Sequence, residues 1–119
     1  MQNLGFKGLI VYQKSYEMVK EVYKLINSLP DGEKYNIISQ IKRASTSVSL
    51  NIAEGYSRKE LSAASYKNFL IISKGSAFEM QVLLDLCRDL KYIDAEYAEI
   101  YDGYTEILKM LSGIIRKIT

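Results

Sequence analysis

The chain contains no histidine. His-based catalytic triads, imidazole proton shuttles and His-ligated metals are therefore excluded, as is the Glu-x-x-His pattern of di-iron bundles. There is one cysteine, Cys87, which cannot form an internal disulfide, a dithiol redox pair or a thiolate metal cluster. At an apolar helical position it reads as a buried thiol in a reducing compartment. One proline and seven glycines leave room for little loop. Gly32, Gly55, Gly75, Gly103 and Gly113 are isolated, so no glycine-rich phosphate loop is present. No segment approaches the ~20 apolar residues needed to span a bilayer, and the opening MQNLGFKGLIVYQK has no signal-peptide anatomy. Strand patterns, internal repeats and low-complexity segments are also missing. No metal or cofactor is expected, and the chain is expected to be soluble and cytoplasmic, without a membrane partner.

What remains is helical. The 119 residues, 48% of them apolar, suit one domain (1–119) with a real core. Four helical periodicities predict helices over about 9–28, 33–56, 62–90 and 95–118. Pro30-Asp31-Gly32 separates the first two, Gly55 is a candidate stop for the second, and Ser62 and Asp94 are candidate caps for the third and fourth. The first helix is expected to bury Tyr12, Tyr16, Val19, Val22, Tyr23 and Ile26; the fourth, Tyr97, Ile100, Tyr104, Ile107, Leu111, Ile114 and Ile118. Connections this short favour opposed neighbours, so the expected fold is all-α: an antiparallel up-down-up-down four-helix bundle.

The second helix carries two stripes. Ile37, Ile41, Ala44, Val48, Ile52 and Gly55 form an apolar face. Beside them Gln40, Arg43, Ser47, Asn51, Glu54 and Arg58 recur every three or four residues as a polar ribbon. A plain solvated surface would be richer in Lys and Glu and poorer in Ser and Asn.

The third helix is apolar on two sides. Tyr66, Phe69, Leu70, Ser73, Ala77, Met80, Leu84 and Cys87 fit a bundle core, while Ile71, Gly75, Phe78, Val82 and Leu86 lie nearly opposite. A helix in a four-helix bundle has one inward face, so the second stripe needs another cover. Another copy of the chain, meeting Gly75 at close backbone distance, is one answer; the N-terminal segment or a long loop folding over it is the other. Glu79 borders these apolar arcs. A carboxylate desolvated there needs a partner, for which Arg43, Asn51 and Arg58 are candidates. It is read either as a structural pair that fixes register or subunit contact, or as a binding or catalytic group. A carboxylate pair such as Glu54 and Glu79 suits acid-base chemistry in principle, and nothing in the residues favours that use.

Net charge is only +2, too small to establish an anionic partner. Its distribution is uneven. Between residues 42 and 74, Lys42, Arg43, Arg58, Lys59, Lys67 and Lys74 face only Glu54 and Glu60; from residue 75 to 106 acidic residues dominate over Arg88 and Lys91. Tyr56 and Tyr66 lie among the cations, and aromatics with Arg and Lys suit single-stranded nucleic acid. An ordinary solvated loop of mixed charge is the alternative.

The run Gln40-x-x-Arg43-Ala44, then Asn51-Ile52-Ala53-Glu54-Gly55, Arg58, Gly75-Ser76 and Glu79 resembles the 23S rRNA intervening-sequence protein family of bacterial four-helix bundles. The opening VYQKSYEMVKEVYKLINSLPDGEKY resembles that family's first helix and its Pro-x-x-Glu-Lys-Tyr turn, so the likeness covers roughly Leu9 to Lys117. The chain departs from the pattern at or near Leu50, where Pro is usual, and the bend that Pro would give is not carried over. The resemblance implies a homopentamer. It also implies kinship with the accessory protein of diversity-generating retroelements, a pentamer of similar shape that engages a reverse transcriptase and nucleic acid. The family name reflects the position of some of its genes inside ribosomal RNA genes, which is not an activity.

Two functional classes follow. One is a non-catalytic oligomer that binds RNA or another nucleic acid through Lys42, Arg43, Arg58, Lys59, Lys67 and Lys74. The other is a protein-interaction scaffold whose polar ribbon is a subunit interface and whose acidic third and fourth helices meet another protein. An enzyme is disfavoured by the residue inventory.

Overall fold

A computed structural model describes residues 4–118. A single 3-10 turn, Gly5–Gly8, precedes α1 (Ile10–Ile26); a second, Asp31–Glu33, lies between α1 and α2 (Ile37–Ser57); α3 (Ala63–Asp89) and α4 (Ala95–Lys117) complete an all-α chain with no strand among the described residues. None of the helices is long and apolar enough to cross a membrane.

Each helix lies directly beside two others: α1 and α3 both flank α2 and α4, and the diagonal pairs come together only through side chains in the core. The inner stripes interlock as the period of 3.6 demands. Ile41, Val48 and Ile52 from α2 meet Leu70, Met80 and Leu84 from α3 and Tyr104, Ile107 and Leu111 from α4 in one fully buried cluster. Each such side chain contributes roughly 1.5–3 kcal/mol by leaving water. All six residues expected on the apolar face of α2 are buried. Residues early in α2 touch residues late in α3: Arg43 meets Glu79, Ser47 meets Ser76, and Gly55 lies against Tyr66 and Phe69. Between α1 and α4, Met18 sits on the bare backbone of Gly103, where an added Cβ would lie 2.6 Å from the Met18 sulfur.

Four local expectations are corrected. In α1 the buried residues are Val11, Ser15, Met18, Val22 and Leu25, so the inward face is turned by about one residue from the expected stripe. Tyr12, Tyr16 and Tyr23 sit at its edge, where their rings stay apolar while their hydroxyls reach water. Phe6 and Tyr16 pack on Tyr12, and Lys20 and Lys42 lie over the Tyr16 and Tyr23 rings. The vacated core position goes to Ser15, whose hydroxyl pairs with that of Ser49 at 2.9 Å. Two small hydroxyls that satisfy each other let the helices approach closely at little desolvation cost.

Second, α2 begins at Ile37 rather than near residue 33. Pro30 leads instead into the Asp31–Glu33 turn, which the Tyr92 hydroxyl anchors by donating to Glu33 at 2.8 Å. Third, Gly55 is inside α2, not at its stop. Its role is contact: an added Cβ would lie 2.9 Å from the Phe69 Cβ. Fourth, Ser62 caps α3 by accepting from the Ser65 N–H at 3.0 Å, but Asp94 makes no such bond to α4; its own N–H donates to Glu96. The C-terminus of α3 closes with Lys91 in the left-handed region at φ 65°. Its N–H donates to Arg88 O and that of Tyr92 to Cys87 O, both at 2.9 Å, the paired bonds of a Schellman motif. α2 runs unbroken through Leu50, which points to solvent.

Candidate nucleic-acid interface

The polar ribbon forms the seam between α2 and α3. Arg43 donates to Gln40 at 3.0 Å and makes an ion pair with Glu79 across the seam. The Ser47 and Ser76 hydroxyls pair at 2.8 Å, and Asn51 donates back to the Ser47 carbonyl at 2.8 Å. Arg58 binds Glu54 one turn away at 3.1 Å and lies 5.3 Å over the Phe69 ring. Deeper in, the buried Ser73 hydroxyl donates to Val48 O at 2.8 Å. Six ribbon positions thus become two ion pairs and a hydroxyl ladder. Glu79 is not desolvated within one chain, however: its side chain is 48% exposed. Asn51 and Arg58, named as possible partners for it, turn to Ser47 and Glu54 instead.

Beside this seam the second stripe of α3 is uncovered. Ile71, Phe78, Val82 and Leu86 are exposed, Val82 by 66%, and Ile72 and Leu90 extend the patch. Gly75 has open space where a Cβ would stand. The N-terminal turn does not cover this face; it packs on α1 and α2. Arg43, Glu79 and Leu50 flank it.

The six candidate cations do not form one patch. Lys42 turns toward α1, its ammonium 6.0 Å from the Tyr23 ring centre, and Arg43 is held by Glu79. They lie about 24 Å and about 22 Å along α2 from Arg58, respectively, at 1.5 Å per residue. Arg58 is held by Glu54. Lys59 beside Tyr56, and Lys67, stay near the turn between α2 and α3, where the Tyr56 and Tyr66 rings pack edge to face with centroids 6.4 Å apart. Burial pushes the Tyr66 hydroxyl up from its usual range, so it stays neutral. Lys74 lines a groove between α3 and α4 together with Lys109 and Arg116.

Lys109 and Arg116 were not singled out by the charge windows. The fold brings the second half of α4 beside the first half of α3, so Lys109 and Arg116 join Lys74 in one groove, and Lys59, Lys67 and Lys117 lie in the same half of the bundle. None of these six makes an ion pair among the described residues. At the other end Asp31, Asp94, Glu96, Glu99 and Asp102 are likewise without ion pairs.

Chemistry elsewhere is quiet. Cys87 is buried and desolvation pushes its thiol up to about 11, so at neutral pH it is protonated and a poor nucleophile. Tyr97 is held up at about 12 by its hydrogen bond to Asp85. No group of three or more His, Cys, Asp or Glu among the described residues could hold a metal ion.

Comparisons with known proteins agree with this architecture. A crystal structure of a protein with unknown function from the S23 ribosomal protein family of Bacteroides thetaiotaomicron VPI-5482 is similar at 32% identity and a TM-score of 0.81, over 91% of this chain and 100% of that one. No curated protein matches. The family model for the 23S rRNA-intervening sequence protein matches residues 7–113, nearly the whole described fold, and the chain therefore belongs to that family.

Proposed function

We propose that the protein is a non-catalytic, cytoplasmic, single-domain antiparallel four-helix bundle that self-associates through the outer face of α3, as a homopentamer, and binds single-stranded or structured RNA through its basic end. The observation that carries the nucleic-acid reading is the collection of Lys59, Lys67, Lys74, Lys109, Arg116 and Lys117 in one half of the bundle, none of them in an ion pair among the described residues, with Glu60 the acid in the turn beside them. Uncompensated cations repeated around an axis are what phosphate backbones recognise, without base-edge specificity. The exposed Ile71, Phe78, Val82 and Leu86 support self-association; the pentamer rests on the family resemblance. The residue inventory and the protonated Cys87 support a non-catalytic role.

The test is the binding of a labelled single-stranded RNA across a salt series. Phosphate contacts give a steep fall of affinity with salt, and Lys59→Ala/Lys67→Ala flattens it. Undetectable binding of RNA and DNA at low salt by a folded oligomer refutes this reading and leaves the scaffold, for which the unpaired acids at the opposite end provide a surface. Self-association is tested separately. Phe78→Lys or Val82→Asp is expected to dissociate the oligomer while the helices persist, and a monomeric mass for the unsubstituted protein in light scattering at micromolar concentration would refute it.

A further inference from the structure

The groove between α3 and α4 has a volume of about 430 Å³, and Lys74, Lys109 and Arg116 line it with Gln81, Thr105 and Ser112. Its polar floor is internally satisfied at one point only: Gln81 donates to the Thr105 hydroxyl at 2.8 Å, and that hydroxyl in turn donates to Tyr101 O. The Ser112 hydroxyl has no hydrogen-bond partner among the described residues. The nearest acid in sequence on α4, Glu106, points away and pairs with Lys14 of α1 at 3.4 Å. The three cations line one groove, and none of them is in an ion pair among the described residues. Such a groove carries a positive potential that draws anions toward it.

We infer that this groove is the main track for the phosphodiester backbone of a single-stranded nucleic acid, which the cations near the turn between α2 and α3 prolong. The inference rests on the nucleic-acid reading above and assigns it to a place. Lys109 and Arg116 are seven residues apart on one face of α4, and Lys67 and Lys74 are seven apart on α3. Each pair spans about 10.5 Å of helix. The two helices thus carry cation pairs of equal spacing, of which Lys74, Lys109 and Arg116 line the groove and Lys67 lies beyond it. Further along, the groove gives way to Asp85, which is occupied by Tyr97 and Arg88, and to the unpaired Asp102. This change of sign limits the length of the footprint on each copy. The Ser112 hydroxyl supplies a neutral donor to phosphate oxygens, as is common in backbone contacts. Phe78 forms one lip of the groove and also belongs to the uncovered face of α3, so in an assembly each groove lies beside a subunit junction.

The deciding experiment uses the full chain and a labelled 20-nucleotide RNA of mixed sequence, titrated between 50 and 200 mM salt. Lys74→Gln/Lys109→Gln/Arg116→Gln is expected to weaken binding roughly tenfold or more at the lower salt. It should also reduce the log–log salt slope by about two, three cations at 0.7 each. The charge-keeping Lys74→Arg/Lys109→Arg/Arg116→Lys retains near-normal binding, and Lys34→Gln/Lys91→Gln at the opposite end leaves it unchanged. Circular dichroism and light scattering confirm that fold and assembly are intact. If the unsubstituted protein binds and the triple Gln variant binds equally well, the groove inference fails while the nucleic-acid reading stands. If the unsubstituted protein does not bind, both fail.

Discussion

The two seams of α3 are built on opposite terms. Against α2 it is closed: Arg43 meets Glu79, Ser47 meets Ser76, Ser73 reaches Val48 O, and Gly55 allows backbone contact at Tyr66 and Phe69. Against α4 it is more open: Gln81 bridges to Thr105 and Tyr97 donates to Asp85, but beside them lies a groove of unpaired cations. The patterned polar residues, which stand out along the chain, spend their hydrogen bonds on one another. The plain lysines and the arginine of the open seam keep their charge available. Distinctive polar patterning marks the joint, and unremarkable charge marks the accessible surface.

The closed seam breaks most severely at Gly55. Gly55→Leu has no room against Phe69 and is expected to cost about 3 kcal/mol, the upper end for overpacking, read as a lower urea midpoint. By contrast, Gly75→Ala meets open space in the chain and should leave the midpoint unchanged or raise it. Next comes Ser73→Ala, which leaves the buried Val48 carbonyl without its side-chain donor; about 1 kcal/mol is expected. Glu79→Gln sharpens the comparison by depending on assembly. In a dissociated chain, where the Arg43–Glu79 pair is half exposed, it should cost under about 1 kcal/mol. In an oligomer that covers the pair, about 3–5 kcal/mol is expected, so melting wild type and variant on the Phe78→Lys background separates the two. Smallest of all, Lys109→Gln in the open seam should change stability by less than about 0.5 kcal/mol, since it has no partner to lose.

Much of this was legible in the residues. Helix number, the core of α2 to α4 and the doubled face of α3 follow from a period of 3.6, which Ile41, Val48 and Ile52 or Leu70, Ala77 and Leu84 keep without interruption. The inward face of α1 lies one residue off the sequence pattern because tyrosine is apolar by ring and polar by hydroxyl, and because Ser15 reads as surface until Ser49 is opposite it. The start of α2 was placed early because the Asp31–Glu33 turn has helical composition but is tied elsewhere, to Tyr92. The basic end was half seen. A window along the chain groups Lys42 with Lys67, which the fold separates, and cannot join Lys74 to Lys109 and Arg116, which only the packing of α4 brings near.

The close approach at Gly55 also has a consequence in time. α2 and α3 are joined by only five residues, 58–62, and Ser62 starts α3 with a cap made of local bonds. Bringing these two helices together closes a short loop, whereas docking α1 onto α4 through Met18 and Gly103 must close most of the chain. The loop between α3 and α4, 90–94, is as short, but α2 and α3 add the Ser62 cap and the close contact at Gly55, which makes their hairpin the natural nucleus of folding. Ser73→Ala should slow refolding with φ near 0.5–0.8, while truncating Met18 to Ala should act mainly by speeding unfolding, with φ near 0–0.3. A chain whose tightest joint forms first exposes the outer face of α3 early, so assembly competes with the arrival of α1 and α4, and the yield of folded protein should depend on the concentration at which it refolds.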